Sequence, residues 1–271
     1  MPEAAPATAT FLAKADGVLA GAWVAHVVFR RVCPEVAVRW LAGDGAAVRR
    51  GQTLAVATGP ARAILVAERV ALNFMQRMSG VATMTAAMVA AVAGTRATVL
   101  DTRKTAPGLR VLDKWAVAIG GGRNHRMGLY DMVMIKDNHI AAAGGIAAAV
   151  AAAEAFMRGK ALRRPVEVET RTLGELRELL DILDARPECM VTRVMLDNMT
   201  AHDPAAPAAL DVATLREAVA MIGQRRVETE ASGNVTLGTV RVIAETGVEF
   251  ISCGALTHSV TALDISLNIE T

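Results

Sequence analysis

Residues 101–139 combine an unusual charge with the residue types best suited to binding small anions. This stretch carries a net charge of +3 in a chain whose total is +2, so the remaining residues sum to −1. Its basic members are Arg103, Lys104, Arg110, Lys114, Arg123, Arg126 and Lys136. Local positive charge beside glycines and histidines predicts a pocket for a small polyanion rather than a nucleic-acid surface.

The composition excludes several other classes of protein. The 271 residues, 53% of them hydrophobic, suffice for a barrel-sized core and a smaller domain. A charge of +2 and an aromatic content of 3% argue against nucleic-acid binding. Three dispersed cysteines without metal-ligand spacing predict free thiols in a reducing compartment. We expect no membrane association, because no apolar run reaches the roughly 18 residues of a membrane span and the start is not a secretory signal.

The amino-terminal third reads as a small α+β domain, predicted to cover residues 1–94. A helix is predicted over 22–32, and strands around 36–40 and 53–59. Residues 61–94 are predicted to be helical, with a break at Ser79-Gly80. On one face of the first helix stand its larger apolar residues Trp23, Val24, Val27, Val28 and Val32.

From residue 95 to 261, short apolar runs alternate with helical patterns. The predicted strands are 97–100, 132–135, 166–169, 193–197, 227–230 and 249–252. This alternation predicts parallel βαβ units. Six repeats favour a barrel-like α/β fold over an open sheet, although periodicity alone does not close a barrel. A last alternating segment, 262–270, could return to pair with the first domain.

Each of these predicted strands is followed by polar residues of the kind that chemistry uses. They include Arg103, Lys104, Lys136, Glu169, Asp197, Ser232 and Gly254. In βα barrels the loops after the strands share one face, and active sites lie there. Arginines suit carboxylates and lysines suit phosphates, while two carboxylates suit Mg²⁺. Backbone N–H groups at Ser232-Gly233 and Gly254 could bind a phosphate.

Several polar residues also have plainer structural interpretations. Arg110, Asp113 and Lys114 fit a solvent-exposed helix face. His125 could be a hydrogen-bonded core histidine, and His139, like its neighbour Asp137, could cap the next helix. These alternatives stay open at the level of sequence.

The motifs that carry a family resemblance are ERVALNFMQRMSG, DTRKTAPGLR, GGGRNHRMGL, IKDNH and EASGN. Through them the chain resembles the quinolinate phosphoribosyltransferase family, also called nicotinate-nucleotide pyrophosphorylase (carboxylating). The resemblance runs from about residue 10 to the end, and its wording is closest to the plant and algal branch. It implies a pentosyltransferase (EC 2.4.2.19) of de novo NAD synthesis. That enzyme converts quinolinate and phosphoribosyl pyrophosphate (PRPP) to nicotinate mononucleotide, CO₂ and pyrophosphate with Mg²⁺ and no bound organic cofactor.

The resemblance also implies an architecture and a site. The architecture is an amino-terminal α/β sandwich domain and an incomplete, seven-stranded α/β barrel. The residues implied to hold the quinolinate carboxylates are Arg103, His125 and Arg126. Those implied to contact PRPP phosphates and substrate are Lys104 and Lys136. Those implied for the ribose and Mg²⁺ are Glu169 and Asp197, and those for the 5′-phosphate are Ser232, Gly233 and Gly254. Catalysis would depend on Lys136, Glu169 and Asp197.

The family further implies a homodimer, or a higher oligomer, in which Arg69 reaches the partner's site. Without that resemblance, Arg69 reads as a surface residue paired with Glu68. The family usually opens with a helical segment bearing an ED…GD motif, which the chain lacks, so we expect it to be a piece of a longer protein. Asn234 stands where many members have a second glycine. We expect the protein to act in the cytoplasm, or in a plastid if it comes from a plant or alga.

Two alternative functions are kept. One is a related enzyme acting on nicotinate or another pyridine acid, although the many cations favour a dicarboxylate. The other is a non-catalytic anion-binding or carrier module, since the short strands around 43–54 also resemble half of a lipoyl or biotinyl carrier. A carrier would need a lysine at a hairpin tip, and none stands there.

Overall fold

The computed structural model describes residues 5–203 and 206–270. The chain divides into two compact units. The first comprises residues 1–89, 104–123 and 255–271, and the second comprises residues 90–103 and 124–254. Residues 104–123, which lie inside the predicted barrel domain of residues 95–261, therefore group with the first unit.

The first unit is built on a four-stranded antiparallel sheet. Its elements are β1 (Pro6–Ala13), β2 (Gly17–Val18), α1 (Ala22–Val32), β3 (Ala37–Trp40), β4 (Ala47–Val48), β5 (Thr53–Pro60), α2 (Ala61–Ala91) and, further along the chain, α3 (Arg110–Ile119), α9 (Ala255–His258) and β14 (Ile265–Ile269). The strand order is β14-β1-β5-β3. In β1, Phe11 pairs with Leu267 on one side and Ala55 on the other. The carboxyl-terminal strand thus returns to β1, where its alternating pattern placed it.

Helix α1 occupies the predicted residues, but it turns its small residues toward the core. Ala22, Ala25 and Phe29 are buried, whereas Trp23 is 61% exposed. Alanines let the helix lie close to the sheet, and Phe29 fills the remaining space with its ring edge-on to Phe11 at 5.8 Å between centroids. The larger apolar face noticed in the sequence is therefore the outer one.

The predicted break at Ser79-Gly80 is wrong, because α2 runs unbroken through both residues. Ser79 exchanges two hydrogen bonds with the Ala20 backbone, at 2.9 and 3.1 Å. A Cβ on Gly80 would lie 2.3 Å from the Thr261 carbonyl oxygen. Ser79 and Gly80 therefore let the backbone at Ala20 and at Thr261 pack closely against α2. A glycine inside a helix lowers helix stability by about 1 kcal/mol.

Two helix charges that we placed on a solvent-exposed face, Asp113 and Lys114 of α3, are fully buried instead. Arg77 donates to both oxygens of Asp113, at 2.8 Å each, and the Ala106 N–H donates to one of them at 3.0 Å. Arg77 also donates to the Thr257 carbonyl at 2.9 Å. The prediction of an exposed face was wrong because the partner that neutralises buried Asp113 is Arg77, which stands 36 residues earlier in the chain.

The second unit is built on a six-stranded parallel sheet. Its elements are β6 (Thr98–Leu100), β7 (Val133–Ile135), α4 (Asp137–Ala143), α5 (Ile146–Gly159), β8 (Val166–Thr170), α6 (Leu173–Ala185), β9 (Val191–Asp197), β10 (Ala201–Asp203), β11 (Ala206–Asp211), α7 (Ala213–Ile222), β12 (Glu228–Ser232), α8 (Val240–Ala244) and β13 (Phe250–Ser252). The strand order is β6-β13-β12-β9-β8-β7, so the first strand pairs with the last. All six predicted strands are confirmed, and the α/β fold with a separate smaller unit is as expected.

Two further features concern the second unit. An antiparallel hairpin of β10 and β11 follows β9, and the sequence pattern did not predict it. Among the described residues, no single helix is long and apolar enough to cross a membrane. Only α4 and α5 counted together, which lie at 93° to one another, meet that length and composition.

Candidate active site

The carboxyl ends of the six parallel strands lie along one edge of the sheet, and most predicted site residues follow them. Arg103 stands just beyond β6, Lys136 directly after β7, and Glu169 near the end of β8. Asp197 and Ser232 are the last residues of β9 and β12. Gly254 stands just beyond β13, and His125 and Arg126 precede β7 in the same unit. Lys104 and Arg69 belong to the other unit.

Lys136 and Glu169 form an ion pair at this edge, with 2.5 Å between Nζ and Oε2. The Glu169 side chain is almost fully buried, whereas that of Lys136 is partly exposed. The Lys136 backbone N–H donates to His139 Nδ1 at 2.9 Å, which confirms His139 as a cap of α4. The pair therefore presents one ammonium and one carboxylate from adjacent strands, held by a capped helix.

Asn198 links the ends of β9 and β12. Its backbone N–H donates to the Ser232 carbonyl at 2.9 Å, and its side-chain amide donates to Asp197 Oδ2 at 2.7 Å. Gly233 has φ +106°, and a Cβ there would lie 2.2 Å from Asn198 Oδ1. Only glycine fits this approach. Asn198 therefore fixes one acidic side chain through its side-chain amide and one strand end through its backbone N–H.

Asn234, which the family resemblance sets against a second glycine, adopts φ +49°. This is the left-handed region, which glycine enters freely and asparagine tolerates better than most residues. The substitution is therefore compatible with the backbone that the loop after β12 requires.

Arg126 is largely buried, and Arg103 lies near enough for its charge to act on the Arg126 guanidinium. Burial lowers the pKa of the Arg126 guanidinium, and the neighbouring charge of Arg103 lowers it further. The guanidinium donates to the Met132 carbonyl at 3.4 Å. Two guanidinium groups whose charges repel each other suit a ligand carrying carboxylates, since such a ligand would relieve the repulsion.

A buried ionic cluster lies among the strands of the second unit. It consists of His125, Glu167, Arg193 and Glu230, and we refer to it as the His125 cluster. His125 Nε2 lies 2.9 Å from Glu167 Oε2 and 3.4 Å from Glu230 Oε2. Arg193 donates to Glu230 Oε2 at 3.0 Å. Among the described residues, Oε1 of Glu167 and of Glu230 have no hydrogen-bond partner.

The other contacts of His125 fix its backbone and its second ring nitrogen. The Arg126 backbone N–H donates to Nδ1 at 2.7 Å, and the His125 N–H donates to Asp101 Oδ1 at 2.8 Å. The side chain is only 5% exposed. Direct contact with a substrate carboxylate, which the family resemblance implies for His125, would therefore compete with partners that the chain already supplies.

The cluster holds a proton into the alkaline range. Burial alone would lower the pKa of His125. The hydrogen bonds and charges of Glu167 and Glu230 outweigh burial and raise this pKa to about 9. Burial and the charge of Glu230 raise the pKa of Glu167 to about 7. In an imidazolium both ring nitrogens carry a proton and act as donors. Nδ1 of His125 instead accepts the Arg126 N–H, and this contact disfavours a second proton on the ring. We therefore assign the retained proton to the cluster as a whole.

Two sets of residues offer metal ligands. Donor atoms of His125, Glu167 and Glu230 lie within 4.8 Å of one another. A metal on Nε2 would leave the proton of a neutral ring on Nδ1, where it would meet the Arg126 N–H, so these contacts fit a hydrogen-bonded cluster better than a metal site. Glu169 and Asp197, on neighbouring strands, offer only carboxylate oxygens, which are the ligands that Mg²⁺ prefers.

Sequence reasoning missed Glu167 and Arg193 as parts of this region, and it noted Asn198 and Glu230 only as residues at strand ends, without a role in the site. A signal for the glutamates was present. In β8 and β12 they alternate as Glu167 with Glu169 and Glu228 with Glu230, in strands that are otherwise apolar or small. Since side chains two apart share a face and a buried charge needs a partner, this pattern points to an ionic cluster inside the sheet.

The parallel sheet, with arginines, a lysine and carboxylates along one edge, is typical of an α/β enzyme for a small polyanionic substrate. The chain belongs to the quinolinate phosphoribosyltransferase family. Residues 1–79 match the model of the "Quinolinate phosphoribosyl transferase, N-terminal domain", and residues 81–268 match that of the C-terminal domain.

Named relatives agree with this assignment. The chain is 56% identical to the chloroplastic "Nicotinate-nucleotide pyrophosphorylase [carboxylating]" of Oryza sativa, over all of this chain and 71% of the relative. It is 54% identical to "Quinolinate phosphoribosyltransferase [decarboxylating] 1" of Nicotiana glauca, over all of this chain and 76% of the relative. The crystal structure of NadC from Streptococcus pyogenes matches with a TM-score of 0.85 at 36% identity, covering 100% of this chain and 89% of that one.

Proposed function

We propose that the chain catalyses phosphoribosyl transfer from PRPP to quinolinate with decarboxylation. The products are nicotinate mononucleotide, CO₂ and pyrophosphate, and the reaction (EC 2.4.2.19) belongs to de novo NAD synthesis. Membership in the family and the names of the relatives support this proposal. The observation that carries it is the buried guanidinium of Arg126, on which the charge of Arg103 acts, since two such charges suit a dicarboxylate such as quinolinate.

In this proposal, the guanidinium groups of Arg103 and Arg126 bind and orient the quinolinate carboxylates. The ring nitrogen attacks C1′ of PRPP, the N–C1′ bond forms, and the bond from C1′ to the pyrophosphate oxygen breaks. Lys136 and, from the family resemblance, Lys104 contact PRPP phosphates. Loss of CO₂ from the ring carbon next to nitrogen leaves an electron pair that takes up a proton.

Glu169 and Asp197 act on the ribose, because positive charge develops there in the transition state. Glu169 and Asp197 would stabilise that charge electrostatically. They would also hold Mg²⁺, which when bound neutralises charge on the departing pyrophosphate. The 5′-phosphate would bind the backbone at Ser232, Gly233 and Gly254, with the first loop held by Asn198.

We extend the proposal to the architecture and assembly of the protein. We propose an incomplete, seven-stranded barrel domain of residues 95–261; that the barrel is incomplete is supported by the six-stranded parallel sheet, in which β6 and β7 stand at the two ends. A sandwich domain of residues 1–94 would precede it. A homodimer is supported by Arg69, whose side chain is 67% exposed beside the exposed Val66 and Val70. Arg69 would reach the partner's site, and a plastid location is supported by the chloroplastic relatives.

The proposal is tested by incubating the purified protein with PRPP, Mg²⁺ and either quinolinate or nicotinate, and measuring pyrophosphate and CO₂. We expect both products with quinolinate and neither with nicotinate. Pyrophosphate with nicotinate alone would assign a different pyridine acid. No product with either acid would favour a non-catalytic homologue.

The shared site has its own test. Arg69→Ala and Arg103→Ala subunits, each inactive alone, are mixed under conditions that exchange subunits. We expect a mixed dimer to regain part of the activity, because one of its two sites would be intact. Absence of rescue in confirmed mixed dimers would contradict sharing of the site.

A further inference from the structure

Glu167 is fully buried, and none of the proposed steps uses it. We propose that Glu167 is a positioning residue: by accepting the Nε2–H of His125 it orients the imidazole ring, so that Nδ1 holds the Arg126 backbone N–H and the Arg126 guanidinium is aimed at the substrate carboxylates. This inference rests on the proposed function, and it adds a residue that acts on quinolinate binding without touching the substrate.

The first step of the argument is the ring orientation. An imidazole can rotate about its Cβ–Cγ bond unless hydrogen bonds at both nitrogens select one orientation. His125 has such bonds, to Glu167 at 2.9 Å and to the Arg126 N–H at 2.7 Å. Glu230 lies farther from the same nitrogen, at 3.4 Å, and one of its oxygens already accepts from Arg193. Glu167 is therefore the better acceptor.

The second step is the route from the ring to Arg126. The Arg126 backbone is tied to His125 through Nδ1, and the His125 backbone is tied to Asp101 at the end of β6. These two bonds fix consecutive peptide groups next to a guanidinium that has Arg103 as a repelling neighbour. A side chain under such repulsion needs a fixed backbone to stay in place without a ligand.

The third step is the free-energy cost of the arrangement. A buried carboxylate whose Oε1 has no partner among the described residues is destabilising. Apolar residues of similar volume often replace buried ionic groups with no loss of stability. Packing alone therefore does not explain a glutamate here, whereas an oriented acceptor for Nε2–H does.

The experiment compares Glu167→Met with Glu167→Gln. Methionine keeps the length of the side chain but offers no comparable acceptor, whereas the amide oxygen of glutamine can still accept from Nε2–H. We expect Glu167→Met to raise KM for quinolinate about tenfold, as for one lost hydrogen bond to a positioned group, with KM for PRPP within about twofold of the unchanged chain. Glu167→Gln should leave both KM values within about threefold.

Glu154→Met is the matched control. Glu154 is a buried glutamate of the same unit, on α5, and it bonds Arg186 and the Met190 N–H. Its substitution should lower the melting temperature without changing KM for quinolinate. An equal rise of that KM in Glu154→Met and Glu167→Met would show a general packing effect and overturn the proposal.

Crystal structures of the two Glu167 variants provide a readout that does not depend on activity. We expect Glu167→Gln to keep the bond from the Arg126 N–H to Nδ1 and Glu167→Met to lose it. An unchanged ring in Glu167→Met would overturn the inference whatever the substrate is. Absence of turnover in the unchanged chain would contradict the proposed function instead. If Glu167→Met does not fold, a folded Glu167→Gln with a tenfold higher KM for quinolinate would also overturn the inference.

Discussion

Each of the two units contains a buried ionic group, and the two groups differ in how completely they are satisfied. In the first unit, Arg77 and the Ala106 N–H bind both oxygens of Asp113. In the second, the His125 cluster places Glu167 and Glu230 side by side, each with one oxygen lacking a partner among the described residues. The first group pairs one carboxylate with one guanidinium, whereas the second brings together two carboxylates.

This difference separates a structural from a functional use of buried charge. The Arg77–Asp113 pair holds segments of the first unit together, and its geometry is fully accounted for by that task. The His125 cluster keeps unsatisfied oxygens and a raised pKa directly beside the residues that we propose bind substrate. Incomplete satisfaction at such a place indicates that the cluster orients neighbouring groups rather than maximising stability.

The largest expected effect concerns Arg103, whose charge acts on the Arg126 guanidinium. Arg103→Ala should lower kcat/KM for quinolinate by about a thousandfold or more, as for other groups that stabilise substrate charge, while the melting temperature changes by only a few degrees. Steady-state kinetics and calorimetry measure the two quantities. Lys136→Ala should behave alike, and full activity in both variants would remove the proposed pocket.

Asp113→Ala should have the opposite effects to Arg103→Ala, namely a large loss of stability and little change in kcat/KM for quinolinate, because it breaks the Arg77–Asp113 pair. It leaves the Arg77 guanidinium and the Ala106 N–H without their acceptor, and we expect a loss of about 3 kcal/mol in the free energy of unfolding. Urea unfolding of the variant and the unchanged chain measures this. A loss below about 1 kcal/mol would show that the pair contributes little.

The pH dependence of stability should report the cluster. The proton that the cluster retains, with a pKa raised from the 6.5 of a free histidine to about 9, stabilises the fold below pH 6.5, and this contribution is lost as the pH rises to about 9. The shift corresponds to about 3 kcal/mol. The charged groups facing the His125 ring are Glu167 of β8 and Glu230 of β12, with Arg193 of β9 on Glu230 and with Asp101, after β6, on the His125 backbone N–H. Unfolding measured from pH 6 to 9 should show the decline, and Glu167→Gln should make it shallower.

The smallest expected effect lies at the rim of the cluster. Glu228 accepts from Arg193 at 2.8 and 3.0 Å, but about half of its side chain is exposed. Glu228→Gln should therefore lower the free energy of unfolding by less than about 1 kcal/mol. A larger loss, comparable to that of Asp113→Ala, would show that the cluster depends on Glu228 as fully as Asp113 depends on Arg77.

The sequence was sufficient for what depends on local pattern. Short apolar runs predicted all six parallel strands, and their polar ends predicted which residues meet at one edge. Long-range partners were out of reach. Asp113 was predicted to be exposed because the pattern of α3 gives no sign of its distant partner Arg77. Gly80 was predicted to break the helix because no neighbouring residue indicates that the Thr261 backbone packs against it.

The site divides in the same way. Lys136 and Asp197 were predicted as site residues from position alone, and the structure places both at the carboxyl ends of strands. Glu167 and Glu230 were not predicted as site residues, because each is interpreted correctly only beside His125, which lies 42 residues from Glu167. Asn198 is not among the predicted site residues, although its side-chain amide bonds Asp197 at the end of β9 and its backbone N–H bonds Ser232 at the end of β12.

The central claim is that this chain joins phosphoribosyl transfer to loss of a carboxylate. The most direct measurement uses quinolinate labelled in the carboxyl group next to the ring nitrogen, with PRPP and Mg²⁺, and quantifies labelled CO₂ and pyrophosphate together. We predict that the two products appear in equal amounts and only when both substrates are present. Pyrophosphate formed without an equivalent of labelled CO₂ would contradict the claim.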